Sequence, residues 1–176
     1  DSDKDGIPDE DDDCPTIPGP KEFMGCPDTD GDGISDKYDL CPTIAGVPEN
    51  NGCPAIKKEE KEIIDRAFSN LEFESGKSVI KPVSYPALNE LAELLVQKPV
   101  WKVQLSGHTD NTGKPESNMT LSKNRTQAVK DYLISRGVEE YRIRTEWFGQ
   151  ERPVADNKTA AGRQKNRRVE MKIVFD

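Results

Sequence analysis

The sequence predicts a layered α/β sandwich carrying four strands, preceded by a small loop-rich module with almost no core of its own. Three observations predict it. Residues 57–176 alternate strand and helix patterns: strand, helix, strand, helix, strand, short helix, strand. The charge is divided along the chain: residues 1–56 hold 15 acids against 3 lysines, whereas residues 57–176 hold 18 acids against 22 lysines and arginines. All four cysteines precede residue 54. The boundaries are therefore drawn at 1–56 and 57–176.

In the second module, the stretch KKEEKEIIDRAF lacks Gly and Pro and places Ile63, Ile64, Ala67 and Phe68 at helical spacing. Leu71 and Phe73 alternate with polar residues and predict a first strand, with the loop SGKS at 75–78 behind it. A helix follows Pro82, with Pro86 in its first turn and Leu88, Leu91, Ala92 and Leu95 as its apolar stripe. Trp101, Val103 and Leu105 alternate with Lys102 and Gln104 in a second strand. A polar loop, 106–120, leads to an amphipathic helix that begins near Leu121 and buries Ala128, Val129, Tyr132 and Leu133, with Gly137 as its C-terminal cap. A strand over RIRTEWFG puts Ile143, Thr145 and Trp147 on one side and Arg142, Arg144 and Glu146 on the other. Thr159 caps a short helix. The last strand turns Val169, Met171, Ile173 and Phe175 inward. Crossover connections favour parallel pairing of the first three strands.

Loops at the C-terminal ends of strands carry the sites of α/β proteins. Here the loop 106–120 brings Asp110, and the helix after it Arg125. An acid and a guanidinium on one cleft suit the two ends of a zwitterion. The carboxylate takes an ammonium, and the planar guanidinium fork takes a carboxylate.

The motifs SGHTDNTG at 106–113, Asn118, LSKNR at 121–125, Gly137-Val138 and GRQKNRRVEM at 162–171 resemble, in order and spacing, the OmpA-like peptidoglycan-binding domain. Outer-membrane porins, peptidoglycan-associated lipoproteins and flagellar stator proteins share that domain. The resemblance covers residues 66–176. It implies a mixed four-stranded sheet with helices packed on it. It also implies that Asp110 and Arg125 grip the diaminopimelate of the peptidoglycan stem peptide. Thr109 and Asn118 match positions that shape or contact that peptide, and Leu121 orders the helix start. One arginine of the NRR run lies near the ligand rim, and Arg168 is the one assigned to it. The loop at Gly76 lines the peptide pocket; many members carry Asp or Asn there, so only backbone serves at Gly76.

The first module is a repeat. DSDKDGIPDEDDDCP at 1–15 returns as DTDGDGISDKYDLCP at 28–42, an offset of 27 that also carries Cys14 to Cys41 and Cys26 to Cys53. Within each copy, carboxylates stand at relative positions 1, 3, 5, 9 and 12 with Gly at 6, which is calcium-loop spacing. Asp1, Asp3, Asp5, Asp9 and Asp12 with the Ile7 carbonyl form one ligand set; Asp28, Asp30, Asp32, Asp36 and Asp39 with the Ile34 carbonyl form the other. The twelfth position is Asp rather than Glu and no helical pattern flanks either loop, so these are not EF-hands. The pattern resembles the thrombospondin type 3 repeat, a calcium-loaded, loop-rich rod. A disordered acidic linker is disfavoured by the periodic Asp, the fixed Gly and the paired cysteines.

Four cysteines among so few apolar residues read as disulfides of an oxidising compartment. Of the three possible pairings, Cys14–Cys26 with Cys41–Cys53 is favoured because each closes a short loop of similar design, CPTIPGPKEFMGCP and CPTIAGVPENNGCP; Cys14–Cys53 with Cys26–Cys41 is the alternative. Zinc competes poorly, since no Cys-x-x-Cys pair exists and the lone histidine is His108.

One histidine and cysteines held as disulfides leave no materials for a hydrolase, so no enzyme is expected. Nothing in the pattern points to nucleic acid. No apolar run reaches the length of a membrane span, so contact with a membrane is expected only through a region outside this chain. The chain opens on an acidic motif without Met and reads as a mature or excised fragment. The expected function is non-catalytic anchoring of the outer membrane to the wall from its periplasmic face, with structural Ca²⁺ stiffening the spacer. A calcium-dependent adhesion module at the cell surface is the alternative.

Overall fold

Helix α1 (Lys58–Ser69) opens with Glu60 accepting a hydrogen bond from the Lys57 amide at 3.3 Å, and buries Ala67 on the side packed against the helix Tyr85–Gln97. The structure, a computed structural model, describes all of residues 1–176. It divides into two compact units, one of Lys57–Val174 and one of Asp1–Ile56 with Phe175–Asp176.

In the larger unit a 3-10 turn at Pro82–Ser84 runs directly into α2 (Tyr85–Gln97), whose second residue is Pro86, where a missing amide hydrogen does no harm. Leu88, Leu91, Ala92 and Leu95 are fully buried. Strand β1 (Lys102–His108) follows, then α3 (Pro115–Ser135), β2 (Ile143–Trp147), α4 (Ala160–Asn166) and β3 (Arg168–Val174). The sheet order is β2-β1-β3, with β1 parallel to β2 and antiparallel to β3. Val103 and Leu105 of β1, Ile143 of β2, Val169 of β3, and Val129 and Leu133 of α3 fill the core together with Trp101.

The sheet is mixed, as the resemblance implies, but it has three strands instead of four. The expected first strand makes a single bridge, Phe73 to Ile80, within its own local hairpin. The Glu74 amide donates to Val79, Lys81 to Glu72, and the Glu72 amide to the Ser84 hydroxyl, so this segment's hydrogen bonds are satisfied at short range. Helix α3 starts at Pro115, six residues before the expected Leu121, because proline suits a first helical position and Lys114 before it is extended.

Gly137 (φ +103°) ends α3: its amide donates to Ile134 and that of Val138 to Leu133, closing the last turn in a left-handed cap. The Thr159 hydroxyl accepts from Gly162 at the start of α4. Arg142, expected in the strand on the same side as Arg144 and Glu146, lies instead in the 3-10 turn Glu140–Arg142 before β2 and is buried. Its guanidinium donates to the carbonyls of Leu95, Lys98 and Trp101 and pairs with Glu139 at 2.8 Å, tying the end of α2 to β1.

The smaller unit has no sheet or long helix. Disulfides join Cys14 to Cys26 and Cys41 to Cys53. Lys37 reaches Asp13 at 2.8 Å and the Tyr38 hydroxyl donates to the same carboxylate at 3.0 Å, linking the second repeat to the first.

Candidate functional site

Gly107 explains how the main site is assembled. A Cβ there would stand 2.5 Å from the Ser122 carbonyl oxygen and 2.8 Å from Thr126, so only glycine lets α3 lie this close to β1. The close approach sets the loop after β1, with Asp110, beside the helix that carries Arg125. Both residues are 6% exposed. Asp110 Oδ1 accepts from the Thr112 amide at 2.8 Å, an Asx turn, and Oδ2 accepts from Arg167 Nη1 at 2.6 Å. Burial pushes the Asp110 carboxyl up, but the Thr112 and Arg167 hydrogen bonds outweigh it and leave the group below the usual carboxylate range.

Arg125 donates through Nε to the Lys77 carbonyl at 3.0 Å, and its guanidinium lies 5.0 Å from the centroid of Phe73. No protein acceptor meets its Nη donors. Burial, and then the nearby Arg167 charge, lower its pKa from the usual value while Asp110 opposes the shift. The guanidinium remains charged. An ionised carboxylate and a guanidinium with unengaged donors thus lie near enough to interact.

The surrounding residues mostly shape the site. Asn118 is 6% exposed and its amide donates to the carbonyls of Asp110 and Thr112 and to Gln150 Oε1, holding the loop closed. Thr109 is buried and its amide donates to the Gly149 carbonyl; the Gly149 amide in turn donates to the Ser122 hydroxyl. Leu121 is half-buried on the first turns of α3. Gly76 has φ +68° and open space around its Cβ position, in the loop whose Lys77 carbonyl receives Arg125.

Arg168 is a correction. In β3 it pairs with His108, and its side chain bonds Glu170, the Asn166 carbonyl and the Arg152 carbonyl on the sheet's open face. Successive residues of an extended chain point to opposite sides, so Arg167, not Arg168, reaches Asp110. His108 also faces that open side, buried and stacked on Phe148. The sequence reading passed over Phe73, the Lys77 carbonyl and the pairing of Arg167. The alternation along NRRVE, read strictly, would have found the last.

The acidic repeats form two further clusters. Carboxylate oxygens of Asp1, Asp3 and Asp5 lie within 4.8 Å of one another, and those of Asp28, Asp30 and Asp32 do the same. Asp3 Oδ2 and Asp12 Oδ2 in the first repeat, and Asp30 Oδ2 and Asp39 Oδ2 in the second, are buried without a hydrogen-bond partner. Burial and the charges of Asp32, Asp39 and Asp28 push the Asp30 carboxyl up, against one hydrogen bond from the Asp32 amide. Crowded hard oxygens with unpaired lone pairs fit a divalent cation such as Ca²⁺. The Ile7 and Ile34 carbonyls accept no hydrogen bond within the protein.

Asp9 and Asp36 are engaged differently. Both oxygens of Asp9 accept from Ser2, and both of Asp36 from Thr29, closing the loop ends. The Ser2 hydrogen bonds hold Asp9 down to about 2.

Comparison with known proteins fits this geometry. The sequence profile of the OmpA family matches residues 72–167. The chain belongs to the OmpA family. Residues 1–22 and 27–48 each match the thrombospondin type 3 repeat. Outer membrane porin F of Pseudomonas fluorescens is 43% identical over 104 residues, 59% of this chain and 32% of that protein. Peptidoglycan-binding protein ArfA of Mycobacterium tuberculosis is 43% identical over 107 residues, 61% of this chain and 31% of that one. The peptidoglycan-associated lipoprotein from Burkholderia pseudomallei superposes with a TM-score of 0.54 at 27% identity, covering 58% of this chain and 86% of that structure. The chain spans about a third to a half of the length of the curated relatives it matches. No helix is long and apolar enough to cross a membrane.

Proposed function

We propose that residues 57–176 bind, without catalysis, the diaminopimelate of a peptidoglycan stem peptide, and so fasten the outer membrane to the cell wall from its periplasmic face. Residues 1–56 act as a separate, calcium-stiffened spacer. The observation that carries the first part is a neighbouring pair of opposite charge: Asp110, buried and ionised, and Arg125, buried with its Nη donors unengaged. Diaminopimelate ends in an ammonium and a carboxylate on one carbon, and these are the complements of that pair. Lysine at the same stem position lacks the carboxylate. It would leave Arg125 buried without an anion, a loss on the order of a few kcal/mol. The likeness to the peptidoglycan-binding protein ArfA and to the peptidoglycan-associated lipoprotein supports the same ligand class.

In the spacer, Asp1, Asp3, Asp5 and Asp12 would hold one ion, and Asp28, Asp30, Asp32 and Asp39 another. Bound calcium would neutralise carboxylates that otherwise repel.

Calorimetric titration with a synthetic stem tripeptide ending in diaminopimelate tests the site. Wild type binds; Asp110→Asn and the lysine tripeptide each weaken binding at least about tenfold. Equal binding by wild type and D110N removes the assignment.

A further inference from the structure

The chain's one histidine, His108, is only 3% exposed, yet neither of its ring nitrogens has a hydrogen-bond partner. A neutral imidazole there leaves one N–H without an acceptor and one lone pair without a donor. The ring helps line a cleft of about 420 Å³ on the open face of the sheet. Charged groups face it from three elements: Arg168 and Glu170 of β3, Glu146 of β2, and Arg152 of the segment after β2. Lys172 stands further along β3 in the same cleft. Glu170 Oε2 lies 3.8 Å from Nε2, beyond hydrogen-bond reach, and the other oxygen of that carboxylate is held by Arg168 Nε at 2.6 Å. Glu146 is engaged by the Ser106 hydroxyl at 2.6 Å. A protonated ring would therefore have two donors with no acceptor in place, close to two guanidinium groups. Burial and then Arg168, with Arg152 adding to them, push the imidazole below its ordinary value of 6.5 against the pull of Glu170 and Glu146.

The ring stacks on Phe148, centroids 5.4 Å apart, and the Arg152 guanidinium lies 3.5 Å from the Phe148 centroid. The residues after Phe148 close the binding loop. The Gly149 carbonyl accepts from the Thr109 amide at 2.8 Å, and the Gly149 amide donates to the Ser122 hydroxyl at 3.0 Å. Gln150 accepts from Asn118, whose amide also holds the Asp110 carbonyl. We infer that His108 is a proton-operated latch on the binding site: neutral, it seats Phe148 and keeps the Asp110 loop closed; protonated, it unseats Phe148 and loosens the grip on the ligand. The latch rests on the reading of Asp110 and Arg125 given above and adds regulation to it. The closed arrangement resists a proton that the open one accepts at the ordinary value. Closure is thus at full strength above about pH 6.5 and weakens as pH falls below it. Nothing else in the grip changes charge between about pH 7 and 5. Asp110 ionises below the usual carboxylate range, the guanidinium stays charged, and the amine and carboxyl of the diaminopimelate head group titrate well outside that window.

The test is calorimetric titration of the full chain, in excess calcium, with an N-acetylated stem tripeptide, so that no peptide N-terminus titrates near neutrality. Wild-type affinity falls about fivefold from pH 7 to 5. His108→Phe, which keeps a stacking ring and takes no proton, stays within about twofold over the same range. Arg168→Gln, which removes the larger opposing charge and frees Glu170 for the ring, also flattens the profile. The lone imidazole gives an unambiguous NMR titration, with a midpoint below 6.5 in wild type and a higher one in R168Q. A flat wild-type profile, or H108F falling in parallel with wild type, overturns the inference and leaves the Asp110–Arg125 site standing. A wild-type imidazole midpoint at or above 6.5 overturns it without reference to any peptide. Should H108F fail to fold by thermal melting, wild type against R168Q decides, and parallel profiles overturn the inference. If wild type does not bind the peptide even at pH 7, the site reading falls and the latch with it.

Discussion

Asp110 works through its charge, and that charge has a pH signature. Its native pKa lies below the ordinary value of 3.8, because hydrogen bonds from Thr112 and Arg167 outweigh burial. A group lowered in this way contributes stability that is complete above the unfolded value and is lost as pH falls through the native one. Melting wild type and D110N from neutral pH downward should show a constant gap in Tm to about pH 5, shrinking below about pH 4. A gap unchanged at the acid end would mean that the carboxylate's charge is not what Thr112 and Arg167 stabilise. At this scale the sequence was informative about residue type and less so about direction. Asp110 and Arg125 could be singled out from the motifs around them. Which of two adjacent arginines turns inward depended on β3 pairing with His108, a tertiary fact. The burial of Arg142 could not be read, since apart from Glu139 its acceptors are carbonyls more than forty residues away.

Among the elements, the contact between β1 and α3 matters most. Gly107→Ala should be far more damaging than Gly137→Ala. At Gly107 a methyl would strike backbone of α3, and relief requires moving the helix that carries Arg125. At Gly137 it would meet only Val96 at 3.7 Å, so the cost is the backbone's alone, about 1 kcal/mol for a residue forced to positive φ. Chemical denaturation should therefore show a modest loss for G137A with tripeptide binding intact, and a larger loss for G107A with binding impaired. Intact binding in G107A would show that the helix position is not critical to the site. Most helices were legible because their apolar stripes, Thr159 and Gly137 are local signals. The first strand was not. Leu71 and Phe73 alternate as a strand should, yet that pattern does not say whether the partner is the sheet or the segment just downstream.

For the whole molecule, the two units have separate interiors: leucines and Trp101 in one, disulfides and carboxylates in the other. Chelator should lower the melting of residues 1–56 and leave tripeptide affinity unchanged within about twofold. Chelator-sensitive affinity would mean that residues 1–56 take part in recognition. Reduction should act alongside chelation. Asp12 accepts from the Cys14 amide and Asp39 from that of Cys41, so each disulfide loop helps hold a carboxylate in place. The link between repeats also has a direction. Lys37 and Tyr38 of the second copy grasp Asp13 of the first, but the residue 27 positions after Asp13 is Leu40, 71% exposed and without charge. One repeat earlier, the counterparts of Lys37 and Tyr38 are Glu10 and Asp11, which would repel such a carboxylate, so the clasp belongs to this one junction and identical copies could not be joined by it.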